Sequence, residues 1–197
     1  MAAESAVIAG HFGFAAAVKA KERTTPLWAL MLATQWLDVV FAPLLGAGVE
    51  TMQPLDATRP TAYGDAIIHA DYTHSLVGAL ALSIVIGLAL GAKYGKRSGV
   101  VIGLVAMSHW LLDLPMHRGD MPILPGGAET LGFGLWRSPI ASAIVELALV
   151  LAGAWLYGRA ARDVAGDDSA MQRRARLCTI LIAGGGVGVL ALNLVGV

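Results

Sequence analysis

Charge is scarce in this chain of 197 residues. Asp, Glu, Lys and Arg together make up 14% of it, and the 14 basic and 14 acidic side chains cancel. Soluble domains carry roughly 25% charged residues. A disordered segment needs far more charge than this. A nucleic-acid binder needs a basic excess, so no nucleic-acid partner is expected. Cysteine is nearly missing as well, and the single Cys178 cannot build a disulfide framework. What is plentiful is apolar: 56% hydrophobic residues and a mean hydropathy of +0.67. The expectation is an all-α fold, one integral membrane domain covering residues 1–197, built as a multi-pass helical bundle.

A membrane helix takes about 20 largely apolar residues. Six segments qualify: Glu4–Ala20, Pro26–Gly48, Thr73–Ala92, Gly99–Met116, Ser138–Tyr157 and Arg176–Val197. The first is short and alanine-rich, and with Glu4 and no Lys or Arg at its start it makes a poor signal peptide. The connections after spans one, three and five hold 11 of the basic residues, from Lys19 to Arg176. The other two loops hold only Arg59, Arg118 and Arg137. Basic residues in short loops stay cytoplasmic, which predicts six transmembrane helices with both termini outside, in a bacterial inner membrane. Trp28, Tyr94, Trp155 and Tyr157 then fall at the inner interface, and Tyr72 and Trp136 at the outer one. Gly87, Gly91 and Gly95 share one helical face, as do Gly99 and Gly103, where backbones can approach closely. Gly184–Gly186 would soften or kink the last span.

Three carboxylates, Asp38, Asp113 and Glu146, lie within spans, and all five histidines lie in or beside them. Ionisable groups in hydrocarbon are costly and point to a functional site. Counting about 1.5 Å per residue from the inner basic anchors puts Asp38, His109 and His11 near 18 Å, Glu146 near 20 Å, Asp113 near 24 Å and His74 near 28 Å. Five helices thus bring polar groups to the middle-to-outer half of the bilayer. His109 and Asp113 are four residues apart on one helical face, and such a pair suits a divalent cation such as zinc. Pro115 interrupts the helix before His117. Asp71, three residues before His74, serves equally well as a helix cap. His69 reads as a loop residue and Cys178 as a small buried hydrophobe.

Thr73-His74-Ser75 at the start of a span, and Ser108-His109-Trp110-Leu111-Leu112-Asp113 later, resemble the YdjM-like family of bacterial inner-membrane proteins, described as predicted membrane-bound metal-dependent hydrolases. Gly10-His11-Phe12-Gly13 and Asp38 match the family's early His and its Asp in the second apolar segment, so the likeness covers roughly residues 8–118. The resemblance implies a hydrolase whose His11, Asp38, His74, His109 and Asp113 hold one or two divalent metal ions, with zinc expected. Glu146 or Asp71 would act as general base, and His117 as proton donor or supporting partner. A site open to the outer leaflet suggests a lipid, or a lipid-linked phosphate or ester, as substrate. Competing readings are a cation or proton transporter, a haem-binding subunit, and an accessory subunit of a membrane complex, with membrane lipids or further copies as partners.

Overall fold

The computed structural model describes residues 9–56 and 66–195. Glu4 of the first expected span and Arg59 of the first long loop lie outside them. The described residues form seven α-helices and two small hairpins, in the order α1 (Ala9–Lys21), α2 (Leu27–Thr34), α3 (Trp36–Gly46), β1 (Thr51–Pro54), β2 (Ala66–His69), α4 (Leu76–Tyr94), α5 (Lys96–Asp113), β3 (Met121–Pro122), β4 (Thr130–Leu131), α6 (Pro139–Ala165) and α7 (Ser169–Val195). The fold is predominantly helical. The hairpins pair antiparallel, with Thr51 opposite His69 and Met121 opposite Leu131.

Three of these helices, α4, α6 and α7, are long and apolar enough to cross a membrane. The α2–α3 pair adds a fourth if its 48° bend is counted within one span. The described part of α1 has only 13 residues, and α5 carries Lys96, Arg97 and Asp113 at its ends. The outward faces are apolar: Leu88 is 71% exposed, Ile140 75% and Ile180 65%. Water would make such faces an aggregation hazard, whereas hydrocarbon accommodates them.

Two helix pairs pack through glycine. Only Gly95, at φ +92°, separates α4 from α5, and the left-handed region is open to a residue without Cβ. A Cβ on Gly87 would lie 2.8 Å from the Gly99 carbonyl oxygen, and one on Gly91 would lie 3.0 Å from Gly99 Cα. The small-residue face therefore does join two helices, but Gly95 is the turn between them. Gly13 on α1 and Gly153 on α6 meet backbone to backbone in the same way. Gly184–Gly186 do not interrupt α7; Gly186 lies against Val150, where a Cβ would come within 2.7 Å of its side chain. The last two helices also extend further toward the basic end than expected, because the Arg-rich flanks remain helical.

The core linking the two halves is Ala15 of α1, Leu30 and Ala33 of α2, Ile86 of α4 and Ile102 and Ala106 of α5. At one end the chain from α1 to α2 is tied to α5. Glu22 Oε2 accepts from Arg97 Nη2 at 2.9 Å and from Nε at 3.0 Å, and Thr24 donates to Glu22 through its hydroxyl and its amide. The Thr24 hydroxyl bond, with the Arg97 guanidinium alongside, holds the Glu22 carboxyl down at about 2. At the other end the hairpins cover the bundle. Phe41, Ile68, Met116 and Trp136 form a second core there. Trp136 is buried at that end, under the hairpins, while Tyr72 is 54% exposed.

Candidate metal centre

The polar cluster forms at the hairpin end, where helix termini and one helix break converge. His109 and Asp113 are one turn apart at the end of α5 and leave the same face. Asp38 lies in the first turn of α3, just past the bend. His74 precedes α4, whose N-cap is Ser75, with Ser75 Oγ accepting the Gly78 amide at 3.1 Å. Asp71 is therefore not the cap; the chain turns through residues 71–75 before helix begins, and Asp71 sits half-buried in that turn. His11 lies in the first turn of the described α1.

The five expected ligands come together. His74 Nε2 lies 3.4 Å from Asp38 Oδ1 and 3.7 Å from Asp113 Oδ2. His109 Nε2 lies 3.5 Å and 3.0 Å from the same two oxygens. The two Nε2 atoms are 3.3 Å apart. The other oxygen of Asp113, Oδ1, faces His11 Nε2 at 3.3 Å. Two overlapping groups, Asp38–His74–His109 and His11–His109–Asp113, could each hold a metal ion.

The imidazole protons follow from their partners. His109 Nδ1 lies 2.7 Å from the Thr34 carbonyl oxygen. A carbonyl only accepts, so Nδ1 carries a proton, and in the neutral ring Nε2 presents its lone pair to the cluster. In an unbroken helix that carbonyl would take the amide of Asp38; the bend at Gln35 turns it toward α5 instead. His74 Nδ1 lies 2.8 Å from Thr73 Oγ1, which gives its own proton to Glu50 Oε2 at 2.9 Å. His74 Nδ1–H therefore donates to Thr73, and in the neutral ring His74 Nε2 is also free to face the cluster with its lone pair. Glu50 is 1% exposed and also takes the amides of Tyr72 and Thr73 through Oε1, at 2.8 Å and 2.9 Å. A ring nitrogen anchored to a carboxylate relay is the usual support for a metal-binding imidazole. Trp110 Nε1 donates to the His74 carbonyl at 2.9 Å and fixes the same turn on α5.

With both rings neutral, two bare nitrogens would stand beside two carboxylates, an arrangement that a shared cation, whether protons or a metal ion, relieves. The five distances among these four donors run from 3.0 to 3.7 Å. Donors bound to one ion at about 2.0–2.2 Å lie roughly 3.3–3.6 Å apart when tetrahedral, and the Asp38–His74–His109 contacts, at 3.3 to 3.5 Å, are of that size. Asp38 Oδ2 and His11 Nδ1 are also buried without a hydrogen-bond partner among the described residues. The donor set, its spacing and these orphaned atoms fit a divalent ion. Access comes from one side: the Asp38 side chain is 26% exposed, against 0–6% for the other four.

The remaining expected site residues lie around this centre. His117 is 3% exposed, its ring 6.2 Å from that of His74 and 4.3 Å from that of Trp136. Its Nδ1 bonds Asp120 Oδ1 at 2.8 Å. Burial alone would raise the Asp120 carboxyl, but the bond from His117 and its positive potential hold it below the usual range. Asp120 Oδ2 takes the Ile68 amide at 2.9 Å, so one carboxylate joins the two hairpins to His117. Glu146 is fully buried on α6 and accepts the Gly10 amide at 3.3 Å, beside His11 rather than within either donor group. His69 lies in β2 with an exposed side chain. Cys178 is half-buried on α7.

Glu50 and Asp120 were not among the residues picked out from the sequence. Asp120 could have been, standing three residues past His117. Glu50 could not, since 23 residues and a hairpin separate it from Thr73. Set against known proteins, the chain finds no matching family model, curated protein or solved structure.

Proposed function

We propose that this chain is a membrane-embedded metal-dependent hydrolase of the YdjM-like kind, with six spans and both termini outside a bacterial inner membrane. The observation that carries the reading is the four-donor arrangement of His74, His109, Asp38 and Asp113, with both Nδ1 protons already committed elsewhere. Mixed imidazole and carboxylate donors favour zinc over magnesium, which prefers an all-oxygen shell. When bound, the ion supplies Lewis-acid polarisation of the scissile group and acidifies a water at an open position. Asp38, the most exposed of the residues that would hold the ion, lies on the side from which water or substrate would reach it.

The chain's own residues supply the rest. Glu50 and Thr73 hold His74, and the Thr34 carbonyl holds His109. His11 steadies the far oxygen of Asp113. His117, backed by Asp120, hands a proton to the leaving group. Glu146 anchors the α1 backbone beside His11, and Asp71 has no contact that recommends it as a base. The apolar outer faces and the exposure of Asp38 beside them favour a lipid, or a lipid-linked phosphate or ester, over a water-borne metabolite. A transport path would need ionisable groups through the middle of the other half of the bundle, where α1, α2, α4 and α5 meet through Ala, Leu, Ile and Val and the buried Thr25–Ser98 pair is uncharged.

Elemental analysis of detergent-purified protein, together with hydrolysis assays on phospholipid and lipid-phosphate substrates, tests this. Bound zinc with turnover that Asp38→Asn abolishes is the expected result. Bound zinc without any turnover would leave a structural metal centre and remove the hydrolase. Metal-free, folded protein would remove both.

A further inference from the structure

A second cavity lies at the opposite end of the bundle, away from the His/Asp centre. It encloses ≈ 290 Å³ where the last turn of α1, the following loop, α6 and α7 meet. Alanines on all three helices open the space, including Ala20, Ala161 and Ala175, and Val164 and Met171 give it apolar walls. Three cations line it, Lys19, Arg23 and Arg174, and no acidic side chain does. Lys19 is held in place, its Nζ donating to the carbonyls of Arg23 and Thr25 at 2.8 Å and 2.7 Å. Arg23 and Arg174 are exposed. The nearest carboxylate in sequence, Glu22, is already taken by Arg97 and Thr24. The cavity thus concentrates positive charge, and among the described residues no acidic side chain lines it.

We infer that this cavity binds the phosphate headgroup of an anionic phospholipid from the adjoining leaflet, with the lipid's upper acyl segment along Val164 and Met171. Basic pockets between membrane helices on the cytoplasmic side take such headgroups, each Lys or Arg near the surface contributing about 1 kcal/mol of attraction. The mixed lining favours a lipid over free phosphate, since the apolar wall would gain nothing from a small hydrated ion.

The test is binding to the full chain in nonionic detergent, read by native mass spectrometry and by thermal unfolding. Phosphatidylglycerol, phosphatidylcholine and inorganic phosphate are the probes. Phosphatidylglycerol should be retained and stabilising, and the other two should not. Arg23→Gln and Arg174→Gln should each weaken phosphatidylglycerol about fivefold, and the pair about 25-fold. Arg173→Gln, one residue away but outside the cavity, should leave binding unchanged. Ala161→Leu, which fills the cavity without touching charge, should also weaken it. Equal retention of phosphatidylcholine or of inorganic phosphate would overturn the proposal. So would undiminished phosphatidylglycerol binding by a folded double Arg variant or by Ala161→Leu.

Discussion

His109 carries more of the candidate centre than any other residue. It belongs to both donor groups and faces His74, Asp38 and Asp113 through one nitrogen. His109→Ala should therefore abolish metal binding while leaving the helix intact, as measured by elemental analysis alongside circular dichroism. Glu50 acts at one remove. Glu50→Gln or Thr73→Val should keep the ligands but lower metal affinity about 10–100-fold, measured by competition with a chelator. Unchanged affinity in both would mean that the Glu50–Thr73–His74 chain does not orient the imidazole. At the other end Glu22 sets a pH dependence. Its carboxyl sits at about 2 in the fold against 4.5 when free, held by Thr24 and then Arg97. A depressed carboxyl binds fewer protons in the folded state, so its contribution is present above about 4.5 and is lost as pH falls toward about 2. Thermal unfolding across that window should fall less steeply for Glu22→Gln than for the wild type.

At the scale of the element, glycine contacts and one helix break decide the architecture. A Cβ on Gly99 would meet the Gly87 carbonyl at 2.7 Å and Gly91 Cα at 2.8 Å, both backbone atoms that cannot swing aside. Gly99→Val should cost about 1–3 kcal/mol of stability through overpacking. Gly184→Ala, where nothing lies within 4 Å, should be neutral or stabilise α7 by up to about 1 kcal/mol. Thermal unfolding of the two variants side by side checks the contrast. Both the glycine stripes and the His109–Asp113 spacing could be read directly, because period and side-chain size are local properties. The break at Gln35 could not. The segment from Pro26 to Gly48 reads as one apolar run interrupted at its middle only by Thr34, Gln35 and Asp38, and no proline or glycine marks the bend. It leaves the Thr34 carbonyl free to meet His109 Nδ1 at 2.7 Å, a partner 75 residues away that no local pattern records.

For the whole molecule, the asymmetry of charge makes a testable statement about orientation. In a Cys178→Ser background, a cysteine at Glu129, exposed in the second hairpin, should react with an impermeant maleimide on intact cells. One at Asp167, exposed between α6 and α7, should react only after lysis. The reverse pattern would invert the proposed topology. Metal should also stabilise the whole bundle, because its ligands come from separate elements. A free ion at 100 times its dissociation constant adds about 2.7 kcal/mol, seen as a rise in unfolding temperature that His109→Ala lacks.

Composition and periodicity alone determined the helical class, the long apolar helices and the residue types of the centre, since hydrophobic runs and buried ionisable groups are written along the chain. Tertiary structure decided what lies between distant residues. It brought Glu50 to Thr73 and Asp120 to Ile68, placed the α4 cap at Ser75 rather than Asp71, and drew Trp136 inward onto His117. It also set Glu146 against the backbone of α1 and opened a basic cavity at the far end of the bundle. Each depends on loops and hairpins closing over helix ends, where long-range hydrogen bonds prevail over local preference and no sequence period records the partner.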